Sequence, residues 1–334
     1  MTVRLGVLGA GRIGQVHAKA ISHVRGAELL AISDPIEASA EVVSKEYGCD
    51  IRSIDQIENS DDVDAVVICT PTDTHADLIE KFCRAGKSVF CEKPIDLDIE
   101  RVRACLRVVD ETDSSLMVGF QRRYDPDFLA LKNTIEAGRI GKVEMIALTS
   151  RDPAPPPLEY IARSGGIFRD MMVHDFDVAR WLLDEEVDSI QAAASVLVDE
   201  KIGEAGDFDS ANVILKTASG KQCTINNSRR AGYGYDQRIE VHGSLGAVSA
   251  KNFHETNIEL ADGSGYHKAP LQDFFMTRYA TAYANEIEAF VQALEDGVEP
   301  PTTGQDGLMS LALAEAALLS VEQDRTVKMN EILG

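Results

Sequence analysis

Apolar positions in the first third of the chain fall into short continuous runs separated by amphipathic stretches. The runs 3–8, 29–33, 65–69, 88–91 and 116–118 read as strands. Strands that are apolar throughout are buried on both faces, as in a parallel sheet covered by helices. Helical patterns fill the gaps. They cover 13–21, 36–47 (Ala38, Ala40, Val43 and Tyr47 near one face), 74–85 closed by Gly86, and a helix capped by Asp98 and running to Thr112. This alternation predicts an α/β domain with a doubly wound parallel sheet.

Beyond Gly119 the pattern changes. A helix at 127–137 ends at Gly138, and 143–150 reads as a strand. Asp152-Pro153-Ala154-Pro155-Pro156-Pro157 is a stiff loop, because proline lacks the N–H that helices and central strands need. A helix is expected at 168–183. Alternating strands follow at 187–198, 211–217, 221–228, 236–242 and 256–260, then long helices at 281–295 and 305–322. The expectation is a first domain at 1–119 and a second, α+β domain at 120–334 with a large open, mostly antiparallel sheet. The last helices are free to pack back on the first domain. No flexible linker separates the two, so they are expected to pack closely with a cleft between them.

Composition narrows the function. The chain has 334 residues, is 44% hydrophobic and 26% charged, and carries a net charge of −22. That excludes a disordered chain, a collagen and a coiled coil. So acidic a surface repels phosphate backbones and anionic lipid, which makes nucleic acid and membranes poor partners and leaves small molecules. Cys49, Cys69, Cys83, Cys91, Cys105 and Cys223 form no C-x-x-C pair. They read as buried free thiols, suited to a reducing cytosol, and not as a zinc knuckle or redox site. The apolar start at 3–8 is too short for a secretory signal core, and no run approaches the ~20 residues of a membrane span. A soluble cytoplasmic protein is expected.

Gly9-Ala10-Gly11-Arg12-Ile13-Gly14 is a G-x-G-x-x-G motif between a predicted strand and a predicted helix, the context of a dinucleotide fingerprint. Gly9 permits the tight turn, Gly11 lets a pyrophosphate approach the backbone, and Gly14 lets the helix pack closely. Asp34 ends the next strand, about 20 residues on, where a carboxylate binds ribose hydroxyls and repels a 2′-phosphate. Pro35 follows in place of an arginine, so NAD is expected over NADP. Thr70 and Thr72 would lie at the carboxyl edge of the sheet. His75 either lines the cofactor site or is a structural histidine. Glu92-Lys93-Pro94 ends a buried strand, which points the Lys93 ammonium toward the nicotinamide, with Glu92 beside it a further cofactor-site candidate; a surface lysine in a turn is the alternative.

Gly165 and Gly166 lead into a helix on which Asp170 and His174 are spaced i, i+4 and share a face that Asp177 continues. Three readings stay open: an acid/base pair, a metal site of Asp170, His174 and Asp177, and a capped helix without chemistry. With the glycine motif and Glu92-Lys93-Pro94, this helix resembles the glucose-fructose oxidoreductase/inositol dehydrogenase (Gfo/Idh/MocA) family. The resemblance runs along the whole chain and includes Thr303-Gly304-Gln305-Asp306-Gly307. The stretches Ser150–Pro157, Ser228-Arg229-Arg230 and 235–241 are similar to a bacterial subgroup assigned to inositol oxidation. It implies a Rossmann domain, NAD, a homo-oligomer (dimer or tetramer) built on the outer sheet face, and a polyol oxidised by Lys93, Asp170 and His174 without a metal. Another inositol isomer, a pyranose sugar, or a non-catalytic NAD-binding regulator are the alternatives. Arg123, Asp152, Tyr160 and Tyr235 are candidate partners of substrate hydroxyls. Their bland alternatives are a salt bridge for the arginine and half-buried core positions for the tyrosines.

Overall fold

The computed structural model describes residues 2–334. The chain divides into two units: the stretch up to Tyr124 with Ala280–Leu311, and Asp125–Tyr279 with Ala312–Gly334.

In the first unit, β1 (Val3–Leu8), β2 (Ala27–Ser33), β3 (Asp50–Ile51), β4 (Ala65–Ile68), β5 (Ser88–Glu92) and β6 (Leu116–Gly119) make one parallel sheet, ordered β3-β2-β1-β4-β5-β6. Only β3, two exposed residues, escaped the apolar-run reading. Strand order reverses between β1 and β4, so the ligand-binding switch point lies at their carboxyl ends. Leu5, Val7, Val67 and Phe90 are fully buried. Gly86, at φ +73, follows helix His75–Arg84 as expected. Asp98 caps helix Ile99–Glu111, accepting from the N–H groups of Glu100 at 2.7 Å and Arg101 at 3.2 Å. Helix Ala280–Asp296 packs on helix Arg12–His23, and its Phe290 meets Phe90 edge-on at 5.8 Å.

The second unit is built on β7 (Val143–Arg151), β8 (Val187–Ser195), β9 (Ser210–Thr217), β10 (Gln222–Ser228), β11 (Asp236–Gly243) and β12 (Gly246–Ala250). β13 (Glu259–Asp262) and β14 (Gly265–Lys268) form a separate hairpin, and β15 (Val327–Lys328) completes a seven-stranded sheet ordered β12-β11-β7-β10-β9-β8-β15. β7 and β10 run parallel and the other neighbours antiparallel. β9 shows the expected alternation: Ala211, Val213 and Leu215 are buried, while Asn212, Ile214 and Lys216 are exposed. Helix Val173–Leu183 lies against β7 and β10.

Three sequence expectations need correction. The strand expected at 187–198 stops at Ser195, because the Asp209 carboxylate takes the N–H groups of Leu197, Val198 and Asp199 at 2.8, 2.8 and 3.1 Å and turns the chain away. The strand expected at 256–260 is instead β13, paired only within its hairpin. The helix expected at 168–183 is two pieces. A π-helical turn, Ile167–Met171, is closed by Met172 N–H to Ile167 O at 2.8 Å and precedes helix Val173–Leu183. The proline loop also leads into a short helix, Leu158–Ser164, that its sequence did not announce.

All six cysteines are buried and free, as read from their spacing. Among the described residues, no helix is long and apolar enough to cross a membrane.

Asp125 carries two tasks in the second unit. It caps helix Pro126–Glu136 through the N–H groups of Asp127 and Phe128, and it pairs with Arg278; the two side chains are 1% and 3% exposed. Arg278 also lies over the Phe253 ring, 4.0 Å from its centroid. Asp125→Ala would leave a buried guanidinium without its counter-charge, and urea denaturation should show a loss of about 3–5 kcal/mol. Asp98→Ala removes a cap alone and should cost about 1 kcal/mol.

Candidate active site

The glycine loop follows β1 and opens helix Arg12–His23. Gly9 has φ +98, and a Cβ there would stand 2.7 Å from Cys69 O. A Cβ on Gly14 would stand 1.9 Å from Gly9 O. Neither position admits a side chain. At Gly11 a Cβ would meet nothing within 4 Å, and Gly11 caps the helix without any side-chain hydrogen bond. No side chain caps the first N–H groups of this helix, which include those of Arg12 and Ile13, and the space beside Gly11 is open, the arrangement that binds a pyrophosphate. Asp34 sits beside the loop. Its Oδ2 accepts from Ala10 N–H at 2.6 Å and its Oδ1 from Ile36 N–H at 2.7 Å. A carboxylate has about four acceptor positions, so ribose hydroxyls can still be received, but Asp34 first braces the loop.

Thr70 and Thr72 follow β4 at the sheet's carboxyl edge. Thr70 Oγ1 lies 2.6 Å from Thr74 Oγ1. His75 is 2% exposed, with Nδ1 2.8 Å from Pro94 O and Nε2 2.8 Å from Thr70 O. Its ring ties the loop after β4 to the turn after β5. Glu92 ends β5, 8% exposed, with Oε1 2.7 Å from His17 Nε2. Lys93 is half-buried and joined to Pro94 by a cis peptide bond. Arg123 Nη2 donates to Asp306 Oδ1 at 2.9 Å, the salt bridge that was the alternative reading of this arginine.

In the second unit, Gly165 and Gly166 both have positive φ, +87 and +81, and lead into the π-helical turn that carries Asp170. Tyr160 Oη donates to Asp170 Oδ1 at 2.8 Å, so two sequence-predicted residues meet. Behind them stand two groups that the sequence reading gave no role. Arg229, 1% exposed, donates from Nη2 to Asp207 Oδ2 at 3.1 Å and sets Nη1 3.9 Å from Asp170 Oδ2. Asp207 Oδ1 accepts the N–H of Ile167 at 2.9 Å, and it occupies the space that a Cβ on Gly166 would need. The only sequence signal for Arg229 was its place in Ser228-Arg229-Arg230.

His174 is half-buried in the first turn of helix Val173–Leu183, whereas Asp177 is fully buried. The next residue, Asp175, fastens this helix to the sheet. Ser150 Oγ donates to its Oδ1 at 2.7 Å and Asn227 Nδ2 to its Oδ2 at 3.0 Å. Asp152 follows β7, and its N–H donates to Ser228 O at 3.0 Å. Tyr235 is 7% exposed among the rings of Phe274 and Tyr279, 5.5 and 6.2 Å away. Tyr233 Oη donates to Asp236 Oδ2 at 2.6 Å and accepts from Arg151 at 2.9 Å.

Comparison with known proteins accounts for both units. The profile described as "Oxidoreductase family, NAD-binding Rossmann fold" matches residues 3–120, and the "GFO/IDH/MocA C-terminal domain" matches residues 128–249. The chain is 63% identical to the inositol 2-dehydrogenase of Rhizobium meliloti (strain 1021) over 329 residues, 98% of this chain and 100% of that one. It superposes with a TM-score of 0.95 on a crystal structure of a myo-inositol dehydrogenase from Corynebacterium glutamicum, at 40% identity, covering 98% and 99% of the two chains. A scyllo-inositol dehydrogenase from Lactobacillus casei, solved with NAD(H) and scyllo-inositol, matches with a TM-score of 0.91 at 28% identity over 99% and 100%. With both units matched and such a likeness along nearly the whole length, the chain belongs to the Gfo/Idh/MocA family of oxidoreductases and carries an NAD-binding Rossmann domain.

Proposed function

We propose that the chain is an NAD-dependent inositol 2-dehydrogenase, oxidising myo-inositol to the 2-keto product, scyllo-inosose. The observation that carries this reading is the 63% identity, over 98% of the chain, to an inositol 2-dehydrogenase. The uncapped helix start at Gly11, with room beside it, supports pyrophosphate binding by the backbone from Gly11 to Gly14. Thr70 and Thr72 line the same sheet edge. Asp34 receives the ribose hydroxyls. Bound there, NAD supplies the hydride acceptor.

The residues of the chain do the rest. Removing hydride and proton from a carbinol leaves a carbonyl, and the proton needs a base. His174 takes it, since an imidazole with a reference pKa near 6.5 is matched to that task. Lys93 donates a hydrogen bond to the reacting oxygen and stabilises the negative charge that develops there. Asp170 accepts from a neighbouring substrate hydroxyl. Its other partners, the Tyr160 hydroxyl and the Arg229 guanidinium, keep it pointed. Tyr160, exposed and already on Asp170, is the hydroxyl partner best supported by geometry, with Asp152 beside the proline loop. Arg123 is committed to Asp306, so its contribution is to hold the segment after β6.

The test is NAD reduction at 340 nm across myo-, scyllo- and chiro-inositol, glucose and xylose, each with NAD and NADP. Highest turnover on myo-inositol with NAD is expected. Preference for another isomer would move the substrate assignment, and NAD binding without turnover on any polyol would make the chain a regulator.

Lys93→Ala should lower kcat by about 10²–10³-fold while the Kd for NAD stays within a few-fold. An unchanged kcat would remove Lys93 from the chemistry.

The reading includes a homo-oligomer, dimer or tetramer, formed on the outer face of the seven-stranded sheet. Support comes from Met145 and Ile214, large apolar side chains 52% and 48% exposed on that face. Sedimentation equilibrium should show more than one copy per particle; a monomer would contradict it.

A further inference from the structure

Three titratable side chains meet in the interior of the first unit. His17 comes from helix Arg12–His23, Glu92 from the end of β5, and Glu286 from helix Ala280–Asp296. His17 and Glu286 are 0% exposed and Glu92 is 8% exposed. One nitrogen or oxygen from each lies within 4.8 Å of the other two. His17 Nε2 and Glu92 Oε1 are in hydrogen-bond contact at 2.7 Å. His17 Nδ1 and both Glu286 oxygens are buried without any hydrogen-bond partner. The rings of Phe90 and Tyr283 stand edge-on to the imidazole at 5.1 and 5.5 Å.

We propose that Glu286 is a positioning residue that works as a neutral carboxylic acid: it gives its O–H to Glu92 and so completes, with His17, a clamp on the turn that carries Lys93.

An ionised Glu286 would be a second carboxylate beside Glu92 with no donor to receive. Two carboxylates that share a buried site do not both ionise. Burial, and then the charge of Glu92, hold the Glu286 carboxyl well above the usual carboxylate range. The titratable groups that face it are His17 from the first helix, Glu92 from β5 and Cys69 just after β4, while Tyr283 of its own helix stands edge-on to the His17 ring. Cys69 feels both carboxyls, and burial pushes its thiol well up, so it stays neutral and adds no charge. The acceptor beside a protonated Glu286 is therefore Glu92, within 4.8 Å, and one bridging water or a small turn of the carboxyl joins them. The tautomer of His17 with hydrogen on Nε2 donates to Glu92 from the other side and leaves Nδ1 a lone pair, not an orphaned N–H.

The consequence falls on Lys93. Glu92 precedes it and is gripped by the clamp. Pro94 follows it, and its carbonyl is taken by His75 Nδ1 at 2.8 Å. The lysine is thus fixed at both flanks, and through His17 the clamp ties it to the helix that opens at the glycine loop. This step rests on the catalytic reading of Lys93; the protonation of Glu286 does not.

The experiment uses the full chain and two substitutions. Glu286→Leu removes the donor and should lower kcat about tenfold, with the Kd for NAD little changed, as displacement of a catalytic group predicts. Glu286→Gln keeps a neutral donor of the same shape and should restore kcat to within about twofold of the parent. If Glu286 acts through Lys93, Glu286→Leu adds no further loss in a Lys93→Ala background; additive losses would overturn the route.

Thermal unfolding tests the proton separately. A carboxyl raised above its unfolded value of 4.5 contributes stability that is complete below that pH and is lost as pH rises toward the folded value. The Tm of Glu286→Gln minus that of the parent should therefore grow from pH 5 to pH 8. A difference that stays flat, or falls, from pH 5 to pH 8 would mean that Glu286 is ionised in place, as it would be beside a bound cation, and would overturn the proposal. Should Lys93→Ala retain full activity, the catalytic reading of Lys93 falls, while the Tm series still decides the state of Glu286.

Discussion

The Gly9 carbonyl oxygen lies where a Cβ on residue 14 would need to stand, 1.9 Å away. This contact between a loop and the helix it opens leaves the helix start free of any side chain. Ala10 N–H turns to Asp34, and Gly11 is left facing open space. The same close packing carries His17, one turn beyond Gly14, to the end of β5, where it meets Glu92 at 2.7 Å. A steric requirement on two glycines thus connects the loop that opens the first helix with the strand end that presents Lys93.

Charge is handled differently inside and outside. The surface carries most of a net charge of −22, while several buried acids are individually satisfied. Burial pushes the Asp209 carboxyl up, yet three backbone N–H groups and the Ser210 hydroxyl outweigh it and hold the group below its usual range. Asp175 has Ser150 and Asn227, Asp125 has Arg278, and Asp207 has Arg229. These pairings do structural work at named places: they end β8, fasten helix Val173–Leu183 to the sheet, and shape the turn before Asp170. Glu286 stands apart from them, because no N–H or cation reaches its oxygens.

Much of the fold was legible because its signals are local. The strands of the first unit are apolar runs bounded by caps and glycines, and the Asp98 cap and Gly86 stop formed as their sequence implied. The alternation in β9 likewise needed only neighbouring residues. Misreadings arose where a distant side chain intervened. Asp209 cut short the strand expected to reach 198, and the helix expected from 168 opened with a π-helical turn whose first N–H is held by Asp207, 40 residues away in sequence. Such competition between a local pattern and a remote hydrogen-bond partner has no signature within either segment.

The sequence alone determined the domain type, the glycine cradle and the acid beside it, and the family, because each depends on residue types at short spacing. It also singled out Asp170 and Tyr160, but not that the tyrosine hydroxyl would rest on the aspartate. Only the tertiary structure decided that Asp34 braces the loop it serves, that Arg123 answers Asp306, and that Arg229 stands behind Asp170. Only it brought Glu286 to Glu92 across most of the chain's length. The physical reason is that burial and partnership are properties of long-range packing: a carboxyl's protonation and direction follow from what surrounds it in space, which its sequence neighbours do not specify.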